Sequence, residues 1–153
     1  MMSLPRLCLL LLLVAVAPLR ADSTRQDGDW DSVTIDPVST SIYIGSVRLT
    51  TSEFRRQGDT YAATYEARVF PWFWWNESGT ITIRLPQSDL VRLSRGERIE
   101  FTGDAANHKH KPRHVTGRAD RSDAASGRIK VRIGVDDTEL IFNTHYRFNN
   151  VRK

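Results

Sequence analysis

Residues 60–69 read TYAATYEARV, and this stretch decides the fold class. Apolar or small side chains stand at every second position from Tyr61 to Val69, and mostly polar side chains fill the positions between them. Successive side chains of a β-strand point to opposite faces, so this period predicts a strand with one buried and one solvated face. Strands of this kind are typical of antiparallel sheets.

The same period of two recurs along much of the chain. Residues 81–85, 129–135 and 140–148 alternate in the same way, and most of the loops between the predicted strands are short. Short loops favour pairing between neighbours in sequence. We therefore predict an all-β fold, an antiparallel meander of about 7–8 strands that forms a sandwich or a flattened barrel.

Residues 88–95 are the candidate helix. Ser88 can cap its start, Leu90 and Leu93 lie three residues apart, and Gly96 can end it. Two turns of helix are marginal in isolation, so we expect this segment to pack on the sheet.

The apolar period changes parity between residues 42–44 and 47–49. Gly45 and Ser46 lie between the two segments. A one-residue slip at a glycine is typical of a β-bulge, which we predict here.

Residues 1–21 have the features of a secretory signal peptide. Arg6 precedes an unbroken apolar run from Leu7 to Ala17, which is shorter than the roughly 20 residues that span a bilayer. We expect cleavage before Asp22, since Ala21 is small; a short membrane anchor is the alternative. The remaining chain divides into a flexible lead-in (22–40), one β domain (41–148) and a frayed end (149–153).

The charge balance argues against a nucleic-acid partner. The chain has 22 Lys+Arg and 18 Asp+Glu. Cleavage would remove Arg6 and Arg20, which leaves a net charge of 20 minus 18, or +2. A nearly neutral chain has no global field that holds polyanions. Cleavage would also remove Cys8, the single cysteine, so the exported domain would depend on its core and would suit a periplasmic or extracellular location.

Three segments carry a resemblance to other proteins. They are IGSVRLT at 44–50, the aromatic run at 70–75, and the ending that includes GRIKV at 127–131 and IFNT at 141–144. In these segments the chain resembles small uncharacterised exported bacterial β proteins. The resemblance covers the β region and implies no activity.

The aromatic run contains the first candidate site, a ligand-binding platform. In an extended chain Trp72 and Trp74 would point one way, and Phe73 and Trp75 the other. One interpretation places the run in the core as a plug at the end of a strand. The other makes it a platform for a glycan, a lipid or a protein partner, because exposed aromatic clusters recur at interfaces.

The second candidate site is the basic tip, residues 108–114 at the end of a predicted hairpin. We interpret it as a weak anion site or a solvated loop, whose anion affinity would rise as histidines protonate below about pH 6.5. A metal chelate by His108 and His110 is disfavoured by the neighbouring cations, and we expect no metal and no cofactor. The basic residues of the tip are His108, Lys109, His110, Lys111, Arg113 and His114.

A row of cations, Arg128, Lys130 and Arg132, lies on one side of a predicted strand. Such a row is typical of a solvated face that discourages edge pairing. Binding to anionic surfaces is the alternative.

Catalytic motifs are missing from the sequence. It contains no Gly-x-Ser-x-Gly turn, no glycine-rich phosphate loop and no His-Glu-x-x-His helix. We expect a non-enzymatic, exported binding or interaction module of the cell envelope. A small outer-membrane β-barrel or membrane-associated structural protein is the first alternative, and a hydrolase without a recognisable motif, using His145 and a carboxylate, is the second.

Overall fold

The computed structural model describes residues 28–149, so the predicted signal peptide (1–21), the start of the lead-in and residues 150–153 lie outside the described residues. Strands dominate the described part, together with the helix α1 (Gln87–Ser94) and a 3₁₀ turn (Phe73–Trp75). The strands are β1 (Ser32–Ile35), β2 (Val38–Ile42), β3 (Gly45–Thr51), β4 (Phe54–Gln57), β5 (Thr60–Phe70), β6 (Glu77–Arg84), β7 (Ile99–Asn107), β8 (Pro112–Arg121), β9 (Ser126–Val135) and β10 (Thr138–Asn149).

The strands form an antiparallel meander that closes into a barrel. From β5 to β10 each strand pairs with the next, and β1 closes the ring between β10 and β4. The closed barrel thus has eight strands, and the β2–β3 hairpin extends its wall along the second half of β5. The all-β meander is confirmed, with the barrel rather than the sandwich as its form.

The barrel interior is filled with side chains. Tyr61, Phe54 and Phe142 are each only 1% exposed. A small residue makes room for a large one on the neighbouring strand: Gly117 of β8 pairs with Phe101 of β7, whose ring lies 2.3 Å from where a Cβ at Gly117 would be. Apolar burial of this kind stabilises a fold by about 25 cal/mol per Å², so the inward rows that the sequence predicted form the core.

Helix α1 covers one end of the barrel. It spans Gln87–Ser94 rather than 88–95, and its N-cap is Pro86, which makes no side-chain cap hydrogen bond, whereas Ser88 was the predicted cap. Leu90 and Leu93 are buried in the core. Burial therefore holds this short helix, as expected. Within residues 28–149, none of the helices is long and apolar enough to span a membrane.

The barrel begins earlier than the predicted boundary at Ser41. Ser32–Ile35 and Val38–Ile42 form β1 and β2, and Trp30 stacks on Phe148 with ring centroids 4.1 Å apart. Much of the predicted lead-in (22–40) is therefore part of the fold. At the other terminus, Asn149 pairs with Ser32. β1 was not predicted because a strand of only four residues is too short for its alternation to be recognised.

The parity change near Gly45 has a different cause from the predicted bulge. Ile42 pairs with Gly45 across a two-residue turn at 43–44, so the two segments are separate strands of a hairpin. The predicted bulge is therefore wrong. The turn could not be recognised from the sequence, because Tyr43 and Ile44 are not residues that normally form two-residue hairpin turns.

Candidate functional site

Large hydrophobic side chains are exposed at the end of the barrel opposite α1. They lie on the turn between β2 and β3 and on the segment from the last residue of β5 to the 3₁₀ turn. Phe70 is 63% exposed, Trp74 is 70% exposed and Tyr43 is fully exposed. We call this set the aromatic end: Tyr43, Ile44, Phe70, Phe73, Trp74 and Trp75.

The aromatic run is a tight turn rather than the predicted extended strand. The Trp75 N–H donates to the Trp72 carbonyl at 3.0 Å, and the Asn76 N–H donates to the Phe73 carbonyl at 3.1 Å. Because the chain curls here, the side chains do not alternate between two faces. Trp72 packs partly against the core, whereas Phe73, Trp74 and Trp75 are exposed, so the core-plug interpretation is wrong for those three residues.

Two contacts join the loops of the aromatic end. The Trp72 indole Nε1–H donates to the Ile44 carbonyl at 3.2 Å. Gly45 has a positive φ of 154°, and a Cβ there would lie 2.1 Å from the Phe70 carbonyl oxygen. The backbones therefore approach so closely that the two loops present their side chains as one surface.

The basic tip lies beside the aromatic end. Gly79 near the start of β6 pairs with Asn107 at the end of β7, and the His108 N–H donates to the Ser78 carbonyl at 2.8 Å. The Asn107 side chain shapes the tip, because its Oδ1 accepts from the backbone N–H of Lys109 and of Lys111 at 3.0 and 2.8 Å. Tip and aromatic turn thus occupy neighbouring loops.

The structure divides the predicted anion-binding residues. His108, Lys109 and His110 are exposed at the tip. Lys111 forms an ion pair with Asp136, and His114 lies on the outer wall, with Nδ1 3.7 Å from the Asp104 carboxylate. Arg113 points into the barrel. The predicted residues therefore do not form one site. Of their two lysines, Lys109 is exposed and forms no ion pair among residues 28–149, whereas Lys111 is paired.

Arg113 belongs to a buried polar cluster at the barrel mouth that the sequence did not reveal. Its Nη2 donates to Glu77 Oε2 at 2.8 Å and its Nε donates to Glu77 Oε1 at 3.3 Å. The Tyr65 hydroxyl donates to Glu77 Oε1 at 2.6 Å, and Asn107 Nδ2 donates to Oε2 at 3.0 Å. Glu77 is the first residue of β6 and shares the inward face with Ile81 and Ile83.

Burial and hydrogen bonding act in opposite directions on the pKa of the Glu77 carboxyl group. Burial raises the pKa of Glu77, but the hydrogen bonds from Arg113, Tyr65 and Asn107 outweigh burial and bring its pKa to about 2. Burial and the Glu77 carboxylate together raise the pKa of the Tyr65 hydroxyl. The cluster is therefore an ionised, hydrogen-bonded support under the basic tip.

The row Arg128, Lys130 and Arg132 lies on the outer wall. Lys130 stands directly opposite Arg118, and a groove of about 470 Å³ between the sheet and α1 is lined by both and by Arg132. β9 lies between β8 and β10, so the row does not protect a sheet edge, contrary to the prediction. A solvated face remains its interpretation.

His145 lies on the outer wall as well. It lines a groove of about 380 Å³ together with Asp120 and Arg98. The Asp120 carboxylate accepts a hydrogen bond from Arg98 Nε at 2.5 Å, and among residues 28–149 the His145 side chain makes no hydrogen bond to a carboxylate. In the same part of the chain, no group of three or more His, Cys, Asp or Glu side chains is placed to hold a metal ion.

Comparison with protein-family models, with curated proteins and with solved structures gives no match.

Proposed function

We propose that the protein is a non-enzymatic binding module of the cell envelope and that the aromatic end is its contact surface. The observation that carries the proposal is the exposure of Phe70, Phe73, Trp74 and Trp75 on one end of the barrel. Burial of such a side chain is worth about 2 kcal/mol. An exposed apolar cluster of this size is typical of an interaction site.

The barrel interior supports an external contact surface. Two cavities found there measure about 30 and 40 Å³, and Glu77 and Arg113 line the smaller one. A pocket for a small molecule typically has about 300–1,000 Å³. Both cavities are far smaller, which supports recognition of a ligand on the outside of the barrel.

The outer wall favours this proposal over a lipid-facing barrel. Arg118, Lys130 and Arg132 point outward from adjacent strands in the middle of the wall. An arginine or lysine that faces the centre of a bilayer costs about 2–4 kcal/mol. The surroundings of His145 likewise favour binding over hydrolysis, since Asp120 is already paired with Arg98.

The test is a binding panel of neutral and acidic glycans and lipid vesicles. The protein is compared with Trp74→Ala/Trp75→Ala and with the control Trp74→Phe, which keeps an apolar ring. We expect one ligand class to bind, at least tenfold loss in the double alanine variant, and little change in Trp74→Phe. Binding that the double variant retains in full would show that the contact surface lies elsewhere.

A further inference from the structure

We propose that the partner of the aromatic end is an anionic phospholipid surface, on which the barrel docks end-on. This inference rests on the proposed function and adds the chemistry of the partner. It follows from three properties of the described residues: the shape of the exposed surface, the angles between its rings, and the positions of the neighbouring cations.

The shape of the surface suits shallow insertion into a membrane interface. The exposed side chains lie on two adjoining loops at the outer limit of the barrel wall, where Ser46 pairs with Phe70. Tyr43, Ile44 and Trp74 are each more than half exposed. Tryptophan and tyrosine are enriched at membrane–water interfaces because their rings combine an apolar body with a polar group.

The ring angles disfavour a glycan. A sugar stacks on a flat aromatic face, and coplanar neighbouring rings extend that face. Here Trp72 and Trp74 are inclined by 67°, Trp72 and Trp75 by 42°, and Phe70 and Phe73 by 76°. The rings therefore form an irregular apolar surface, which lipid chains can accommodate because they impose no fixed geometry.

Cations lie on the wall behind the exposed rings and on the neighbouring basic tip. Arg48 and Arg68 face each other on β3 and β5, two residues back from Ser46 and Phe70 on the same face, a distance of about 7 Å. Lys109 is exposed on the neighbouring basic tip, between His108 and His110. Lipid phosphates attract basic residues held near the membrane surface.

Some of these cations are already neutralised. Arg68 pairs with Glu66 at 2.9 Å, Lys111 pairs with Asp136, and Arg113 pairs with Glu77. In residues 28–149, Arg48 and Lys109 form no ion pair. They are therefore the residues that we assign to the phosphates.

The experiment measures binding to vesicles of phosphatidylcholine alone and of phosphatidylcholine mixed with phosphatidylglycerol. The protein is expressed from its full sequence and purified in the form that the cell produces after any cleavage of the chain. Sedimentation with vesicles gives the affinity, and quenching of tryptophan emission by brominated lipid reports insertion. The variants are Trp74→Ala/Trp75→Ala, Lys109→Ala and Arg48→Ala. Arg132→Ala is the control because it removes the same charge from the outer wall.

We expect binding that requires the anionic lipid, with quenching by brominated chains. The double tryptophan variant should lose at least tenfold in affinity. Lys109→Ala and Arg48→Ala should each lose about fivefold, while Arg132→Ala binds as the unchanged protein does. Circular dichroism verifies that each variant is folded.

Several results would overturn the inference. They are equal binding to neutral vesicles, a loss in Arg132→Ala as large as in Lys109→Ala, or no vesicle binding at all. If a glycan binds instead and depends on Trp74 and Trp75, the proposed function stands and only the lipid assignment fails. If neither vesicles nor glycans depend on those tryptophans, the contact surface itself is refuted.

Discussion

Glu77 shows how one residue can support a proposed contact surface without forming part of it. Its carboxylate accepts hydrogen bonds from three side chains, of which Arg113 is only 7% exposed. Sequence reasoning placed Arg113 in an exposed tip because a run of basic residues usually lies in solvent. The alternation of β8 turns Arg113 inward, and the carboxylate that receives it is 36 residues away in the sequence.

Replacement of Glu77 by alanine should destabilise the barrel. Arg113 would keep its charge inside the mouth, with the Asp136 carboxylate 3.5 Å from its Nη1 as the remaining acidic partner. We expect a cost of about 2 kcal/mol, less than for a fully buried pair, because water also reaches Glu77. Urea unfolding followed by circular dichroism measures this loss. The double variant Glu77→Leu/Arg113→Met should recover part of it. An unchanged midpoint in Glu77→Ala would contradict the role of the pair.

The same group predicts a pH dependence of stability. The pKa of Glu77 falls from its ordinary value of 4.5 to about 2 on folding, so the folded state binds fewer protons between these values. Its contribution is therefore complete above the ordinary pKa and is lost as pH falls towards about 2. As the pH is lowered from neutral into the range between these two pKa values, the urea midpoint of the unchanged protein should fall more steeply than that of Glu77→Leu/Arg113→Met. Parallel curves would contradict the assignment.

The elements differ in how far their sequence determines them. β5 and α1 were predictable, because β5 alternates over its whole length and α1 has a leucine pair followed by glycine. The turns of the aromatic end were not predictable, since both interpretations of the run at 72–75 assumed an extended chain. Local turn chemistry gave no signal there: Tyr43, Ile44 and the tryptophans are not typical turn residues.

The helix gives a prediction about the closed end of the barrel. Leu90 is fully buried, and Leu93 lines the cavity beneath it. Leu90→Ala should therefore lose about 2–4 kcal/mol of unfolding free energy. Val91→Ala is the matched control, because Val91 is only partly buried, and it should lose less than half as much. Equal losses in the two variants would indicate that the helix does not pack as described.

At the scale of the whole molecule, the two ends of the barrel differ. α1 and Trp30 close one end, and the aromatic end and the basic tip occupy the other. Alternation predicted which rows are buried. It could not predict which loops meet, because strand order and closure bring together residues as distant as Ile44 and Trp72.

The proposed signal peptide gives a separate prediction about the whole chain. The apolar run from Leu7 to Ala17 predicts cleavage before Asp22. Mass spectrometry of the protein recovered from a periplasmic extract should give a chain that begins at Asp22. A mass that retains residues 1–21 would contradict the signal-peptide interpretation.

Quenching of tryptophan fluorescence by acrylamide tests most directly whether the aromatic end is exposed. Of the four tryptophans in the chain, Trp74 is 70% exposed and Trp30 only 8% exposed. The protein should therefore show strong quenching that is largely lost in Trp74→Phe/Trp75→Phe, whose remaining emission is shifted to the blue. Blue-shifted, unquenched emission from the unchanged protein would show that Trp74 and Trp75 are buried and would contradict an exposed aromatic end.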